Sequence, residues 1–208
     1  MLLKEERQAV IDYCNHMADT KFTIGTAGNI SIFNREKGLF AISPTSTPYK
    51  QITLEDVPVV DLQGNVVEGN KEPSCECNLH RHFYVTRKDI NAVVHCHSPF
   101  ATALSCLEKP VPCIHFDVMY SHKYEIPCSR FGGMPGTPEL AEAVGEAVGE
   151  DGYAALMAHH GMIALGTDIT NAWETAEEME YCCQLYVYAK ATGEPVVIGE
   201  KETGGFWF

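Results

Sequence analysis

The stretch Ala92–Ala101, AVVHCHSPFA, sets two histidines one residue apart at the end of an apolar run and then breaks into Ser-Pro. Alternate side chains along a β-strand share a face, so His95 and His97 stand side by side while Cys96 points the other way. That spacing makes a ready pair of metal ligands. Two polar residues emerging from a sheet end would have the same spacing, so donors elsewhere in the chain must decide between the two.

Outward from this run the chain alternates short strands and helices. Residues 2–19 carry Leu3, Val10, Ile11, Cys14, Met17 and Ala18 at helical spacing. GNISIF and LFAISP read as strands, VPVVDLQGNVVEG as a hairpin about Gln63-Gly64-Asn65, and ALMAHHGMIALG as a strand pair. Ser98-Pro99 and Thr137-Pro138 supply an N-cap and a first-turn proline for two helices. SCECNLHRHFYVTR reads as a helix with Glu76 in its first turn, where negative charge meets the positive end of the dipole. A long helix runs from Asp168 until Gly193 and Pro195 end it. The expected fold is α/β, one layered domain whose mixed, largely antiparallel central sheet is flanked by helices. No G-x-G-x-x-G follows the first strand, which leaves a dinucleotide-binding fold without support.

Composition narrows the function. The chain has 208 residues, 45% of them hydrophobic, enough for one substantial core. No apolar run approaches the roughly 18 residues of a membrane span, and the acidic start is unlike a signal peptide. A net charge of −13 argues against nucleic acid or an anionic membrane as partner. Nine cysteines, an odd number without a C-x-x-C, read as reduced thiols of a cytoplasmic protein.

Two further donors complete a metal set. His159-His160-Gly161 lies in an apolar stretch, and a glycine after a histidine lets the backbone turn sharply beside a ligand. His160 is the stronger of the two. Glu76 follows Pro73-Ser74 at a helix start. Three imidazoles and a carboxylate suit Zn²⁺, with Mn²⁺, Fe²⁺ or Co²⁺ as alternatives. His80 shares a helix face with Glu76; a Glu76–His80 metal pair is conceivable, and a core or supporting role for His80 is preferred.

These motifs carry a family resemblance. Thr-Ala-Gly-Asn (26–29), Ser-Pro-Thr-Ser (43–46), Pro-Ser then Glu-x3-His (73–80), Val-Val-His-x-His-Ser-Pro (93–99) and His-His-Gly (159–161) occur in order. The chain resembles the class II sugar-phosphate aldolases of the fuculose-phosphate type. Their superfamily also holds ribulose-phosphate 4-epimerases, a methylthioribulose-phosphate dehydratase and adducin-like domains. The resemblance runs over a domain at 1–195; the tail over 196–208, with its two Phe and one Trp, closes over the site, packs on a neighbour or stays flexible, and plain hydrophobic docking is the preferred reading. It implies zinc on Glu76, His95, His97 and His160, and substrate phosphate on Gly28, Asn29, Thr45, Ser46, Ser74 and Cys75. The implied protein is a homotetramer with sites between subunits, acting on a small-molecule sugar phosphate. Its implied reaction is reversible cleavage of a ketose 1-phosphate, such as L-fuculose 1-phosphate, to dihydroxyacetone phosphate and a small aldehyde, with Glu76 also moving a proton.

The chain departs from that pattern in three places. Ser74-Cys75 stands where the family has Ser-Ser, Thr45-Ser46 where it has Thr-Gly, and Phe116 where a tyrosine follows Ile-His. A phenyl ring transfers no proton, which leaves Asp117 and Tyr120 as the nearest candidates in sequence. If residues 115–117 are extended, Phe116 and Asp117 face opposite ways. His115-Phe116-Asp117 is similar to the His-x-Asp of the 4-epimerases, so a pentulose 5-phosphate epimerase or another lyase of the superfamily is the alternative. A non-catalytic interaction domain comes third.

Overall fold

A computed structural model describes residues 1–204 and places the His95 strand, β5 (Ala92–Cys96), inside a seven-stranded sheet. Its neighbours are β1 (Asn29–Asn34) and β9 (Gly161–Gly166), both antiparallel to it. Beyond β1 lie β2 (Leu39–Ile42), β3 (Val59–Asp61) and β4 (Val66–Glu68); beyond β9 lies β8 (Ala154–Met157). Every ladder in this sheet is antiparallel, so the expected antiparallel character is complete. The hairpin forms where Gly64, at φ 92°, turns the chain and the Asp61 carboxylate accepts from the N–H groups of Gln63 and Asn65.

Alternation sorts the strands between two cores. Ala92, Val94 and Cys96 join a core with α1 (Lys4–Asp19), α3 (Pro99–Ser105) and α5 (Ile169–Thr192), which contribute Cys14, Leu104, Trp173 and Met179. Val93 faces a second core with α2 (Cys77–Thr86) and α4 (Pro138–Val148), built on Leu79, Phe83, Tyr84, Leu140 and Val144. A strand covered on both faces has no solvent side to keep polar, which is why β5 is buried throughout and apolar but for His95. Each fully buried Val, Leu or Phe contributes about 1.5–3 kcal/mol. Arg7, buried in α1, ties that helix to the hairpin through Glu68 at 2.7 Å and the Leu54 carbonyl at 2.9 Å.

Two helix starts differ from expectation. Ser98 precedes Pro99 as a cap should, yet its hydroxyl donates to Glu180 of α5 at 2.7 Å. The Glu180 carboxylate itself accepts from Phe100 and Ala101 at 2.9 and 2.8 Å, because an ionised acceptor satisfies those N–H groups better than a hydroxyl. Glu76 occupies the N-cap position of α2 and not its first turn, and its side chain caps nothing. Thr137 and Asp168 do cap, accepting from Leu140 and Asn171.

Residues 115–117 are not extended throughout: His115 is, but Phe116 and Asp117 begin a turn. A 3-10 turn, Phe116–Ser121, joins the short strands β6 (Val111–Pro112) and β7 (Glu125–Ile126), which pair with each other. After residue 195 the chain stays docked: the Ile198 N–H donates to the Cys113 carbonyl, and α6 (Glu200–Thr203) bonds through Thr203 to Tyr124. The aromatic end of the tail, Phe206–Phe208, lies outside the described residues. Among the described residues no helix is long and apolar enough to cross a membrane.

Gly161 does not make the sharp turn expected of it. His159 does so, at φ 58°, while Gly161 lets β9 approach the end of β5: a Cβ there would run into the Cys96 carbonyl and come within 3.2 Å of the His97 ring. Gly161→Ala is therefore expected to cost about 1–3 kcal/mol of stability by overpacking. Urea denaturation followed by circular dichroism measures this, and a midpoint equal to the parent's would refute the close-approach argument.

Candidate metal centre

The register of the three central strands assembles the site. Asn29 on β1 lies directly opposite His95 on β5, and His95 lies opposite Ile163 on β9. His95 is fully buried, and its Nδ1 is 2.9 Å from the Met162 carbonyl. A carbonyl only accepts, so Nδ1 carries a proton and Nε2 is the nitrogen that faces the cluster, a donor to Glu76 when protonated and a ligand when not. The His97 Nε2 lies 3.1 Å from that atom. His160, at the other end of the β8–β9 turn, completes the group, with ring centroids 4.8 and 4.9 Å from those of His95 and His97. The ligand nitrogens of all three lie within 4.8 Å of one another.

Glu76 closes the fourth side. Its Oε2 is 3.1 Å from the His95 Nε2 and its Oε1 is 3.7 Å from the His160 Nε2. Burial works to raise the Glu76 pKa, but the charge and hydrogen bond of His95, with His160 and Asn29, hold it far below the usual carboxylate range. Burial and the neighbouring imidazoles push His97 and His160 down to about 4, so both are neutral at pH 7 with lone pairs to offer. Burial works against charging His95, yet the Glu76 carboxylate outweighs it and raises that pKa.

This donor set fits a divalent metal. The Glu76 Oε1 is buried without a hydrogen-bond partner, a costly state for an ionised oxygen unless a cation meets it. Ligands about 2.0–2.1 Å from a tetrahedral zinc stand roughly 3.3 Å apart, close to the separation of the His95 and His97 nitrogens. His80 is not among the converging atoms. Its Nε2 bonds to the Asn29 Oδ1 at 2.5 Å and its Nδ1 to the Ser31 Oγ at 2.6 Å, so it supports the site from beneath.

A cleft of about 190 Å³ opens onto this cluster. Gly28, Asn29, Thr45, Ser46, Ser74 and Cys75 all line it, together with Glu76, His97 and His160. Gly28, at φ 85°, packs so closely that a Cβ would lie 2.7 Å from the His95 carbonyl. Among the described residues no lysine or arginine lines this cleft. Asp117 and Tyr120 do not line it either: Asp117 pairs with His115 at 3.1 Å, and Tyr120 packs partly buried on the α5 side of the sheet. Sequence reasoning missed Thr26, Ala27, Pro44 and Pro135 in the cleft wall. It also missed Ser31, although polar Asn29 and Ser31 alternate with Ile30 and Ile32 on β1.

Known proteins match this arrangement along nearly the whole chain. Residues 8–187 match the family described as Class II Aldolase and Adducin N-terminal domain. The 5-deoxy-D-ribulose 1-phosphate aldolase of Bacillus thuringiensis serovar kurstaki is 41% identical, over 97% of this chain and 93% of that protein. The L-fuculose phosphate aldolase of Escherichia coli strain K12 is 37% identical, over 93% of this chain and 88% of that one. A solved L-fuculose 1-phosphate aldolase superposes with a TM-score of 0.92 at 38% identity, covering 96% of this chain and 93% of its own. The strand-borne histidines, the sheet that aligns them and this shared length together identify the chain as a member of the class II aldolase family, an aldehyde-lyase.

Proposed function

We propose that the protein is a zinc-dependent aldolase that reversibly cleaves a ketose 1-phosphate, such as L-fuculose 1-phosphate, into dihydroxyacetone phosphate and a small aldehyde. The observation that carries this reading is the buried, donorless Glu76 Oε1 inside a ring of three imidazoles. Zinc held by Glu76, His95, His97 and His160, or Mn²⁺, Fe²⁺ or Co²⁺ in its place, supplies a Lewis acid for the negative charge that develops as the C3–C4 bond breaks.

The chain's own groups do the rest. Glu76 accepts or returns the proton at the carbon next to the carbonyl. The Asn29 amide donates to the Glu76 Oε2 at 2.9 Å and has a second N–H for a substrate oxygen. Gly28, Thr45, Ser46, Ser74 and Cys75 take the phosphate through hydroxyls and backbone N–H groups, since the cleft wall offers no cationic side chain. The names of the relatives support the substrate class: 5-deoxy-D-ribulose 1-phosphate and L-fuculose 1-phosphate share the phosphate end and differ at the far end. Asp117 and Tyr120, neither of which lines the cleft of its own chain, are the two candidates for the group that meets the developing C4 alkoxide across a subunit boundary in a homotetramer. Exposed Phe116 beside them fits such a boundary. Nine unpaired cysteines suit the reducing cytoplasm.

Three outcomes follow. The purified protein holds about one divalent metal per chain, and His95→Ala or His97→Ala loses it while the far-ultraviolet circular dichroism stays; elemental analysis unchanged in both variants would sink the ligand set. Glu76→Gln keeps some metal but slows deuterium uptake into dihydroxyacetone phosphate about a hundredfold or more, and parent-like exchange would remove the base role. A panel of ketose 1-phosphates releases dihydroxyacetone phosphate and an aldehyde, with Asp117→Asn only modestly slower. The competing 4-epimerase, which the His115–Asp117 pair favours, would instead interconvert ribulose and xylulose 5-phosphates and stop with Asp117→Asn.

A further inference from the structure

Behind the metal cluster a single line of buried polar groups crosses the core between β1 and α2. It runs from Glu76 through Asn29, His80 and Ser31 to Tyr84, all of them buried, with His80 and Ser31 fully so. The spacing on α2 is 76, 80, 84, one residue per turn on one helix face. On β1 it is 29 and 31, one face of a strand. The two periodicities meet so that each α2 residue reaches a β1 residue.

The direction of every bond in this line is forced. An ionised carboxylate only accepts, so Asn29 turns its amide nitrogen to the Glu76 Oε2, at 2.9 Å, and its Oδ1 away. That oxygen lies 2.5 Å from the His80 Nε2, which must therefore carry a proton. The His80 ring is fully buried and meets only the uncharged Asn29 and Ser31 at its two nitrogens, an environment that suits a neutral imidazole whose Nδ1 is an acceptor. Ser31 then donates to Nδ1 at 2.6 Å, and its oxygen is left to accept from the Tyr84 hydroxyl at 2.5 Å. Reversing any one bond would set two acceptors or two donors against each other in a water-free core, at the cost of an unpaired buried polar group.

We propose that His80, Ser31 and Tyr84 are positioning residues for the reaction: their one-way chain of donors fixes the amide of Asn29, and through it the orientation of Glu76. One carboxylate oxygen is pinned by Asn29 and the other, Oε1, is left open toward the histidines. The inference rests on the reading of Glu76 as metal ligand and proton carrier. Without His80 the Asn29 amide could rotate and present its oxygen to the carboxylate, repelling the group it now holds.

Two measurements on the full chain test this. In ¹⁵N-imidazole NMR of the parent protein at pH 7, the His80 signal, assigned by its loss in His80→Gln, should be that of a neutral ring protonated on Nε2. A proton on Nδ1 or a charged ring overturns the proposal, whether or not the chain binds zinc. Zinc affinity by chelator competition should fall about tenfold or more in His80→Leu, the usual effect of losing a group that orients a ligand. His80→Gln, whose amide nitrogen can stand in for Nε2, should recover most of that loss. Equal losses in both variants, or none in either, would mark His80 as core packing alone. If His80→Leu fails to fold, Ser31→Ala should leave the proton on Nε2, where Asn29 holds it, and shift the Nδ1 resonance that has lost its donor; an unmoved Nδ1 signal there overturns the chain of donors. A parent protein that binds no zinc would defeat the reading of Glu76 while leaving the tautomer result to decide the network.

Discussion

The antiparallel pairing of β5 with β1 and β9 is the constraint on which the site depends. It places Asn29, His95 and Ile163 in one row across the sheet, and so brings the Met162 carbonyl to the His95 Nδ1 and the β8–β9 turn to His97. A slip of one residue would turn His95 into the α5 core and Cys96 toward Glu76. The two apolar cores prevent that slip, since it would also exchange Val93 with Val94 and every neighbour with them. Packing that looks purely structural therefore sets which histidine nitrogens meet.

The same packing makes the site expensive. A carboxylate nearly removed from water, among two neutral imidazoles and a third whose charge depends on it, is a cluster that folding alone does not reward. Removing charges from water costs several kcal/mol per ion, and the Coulombic return depends on every partner being in place. A bound divalent cation changes that balance, because binding to the folded state alone adds to stability. The tight Nδ1–Met162 bond and the line of donors behind Asn29 keep the donors in place beforehand, so little ordering is left for the cation to impose.

Local pattern made much of this legible. The His-x-His on an apolar run, the Gly-Asn hairpin and the helical spacing of residues 2–19 are rules of one or two turns of chain, and they hold. Where reading by proximity failed, a partner distant in sequence had won. Ser98 looked like the cap of α3, but Glu180, 82 residues on, supplies a charged acceptor that outcompetes its hydroxyl. Gly161 looked like the turn, but the left-handed residue is His159, and the glycine serves a contact with β5 instead. Asp117 and Tyr120, named for lying near Phe116, are a separate case: a 3-10 turn carries that segment to the α5 side of the sheet and off the cleft wall of its own chain, which leaves their role as proposed. Ser31 and Tyr84 had a local signal in the polar alternation of β1 and the four-residue spacing on α2, but their meaning depends on β1 and α2 packing together.

Glu76 and Glu180 stand at the starts of α2 and α3 to opposite effect. Glu180 reaches in from another helix and spends both oxygens on N–H groups and a hydroxyl, so its charge is absorbed by the fold. Glu76 belongs to its own helix start yet caps nothing there, while its own N–H donates to the Ser74 hydroxyl. Its side chain turns toward the histidines instead, where one oxygen stays without a donor. A helix N-terminus that stabilises negative charge in general here holds a carboxylate whose remaining valence points into a cleft. A carboxylate so placed, with no capping bond to make, is available for both of the roles proposed for it, ligand and proton carrier.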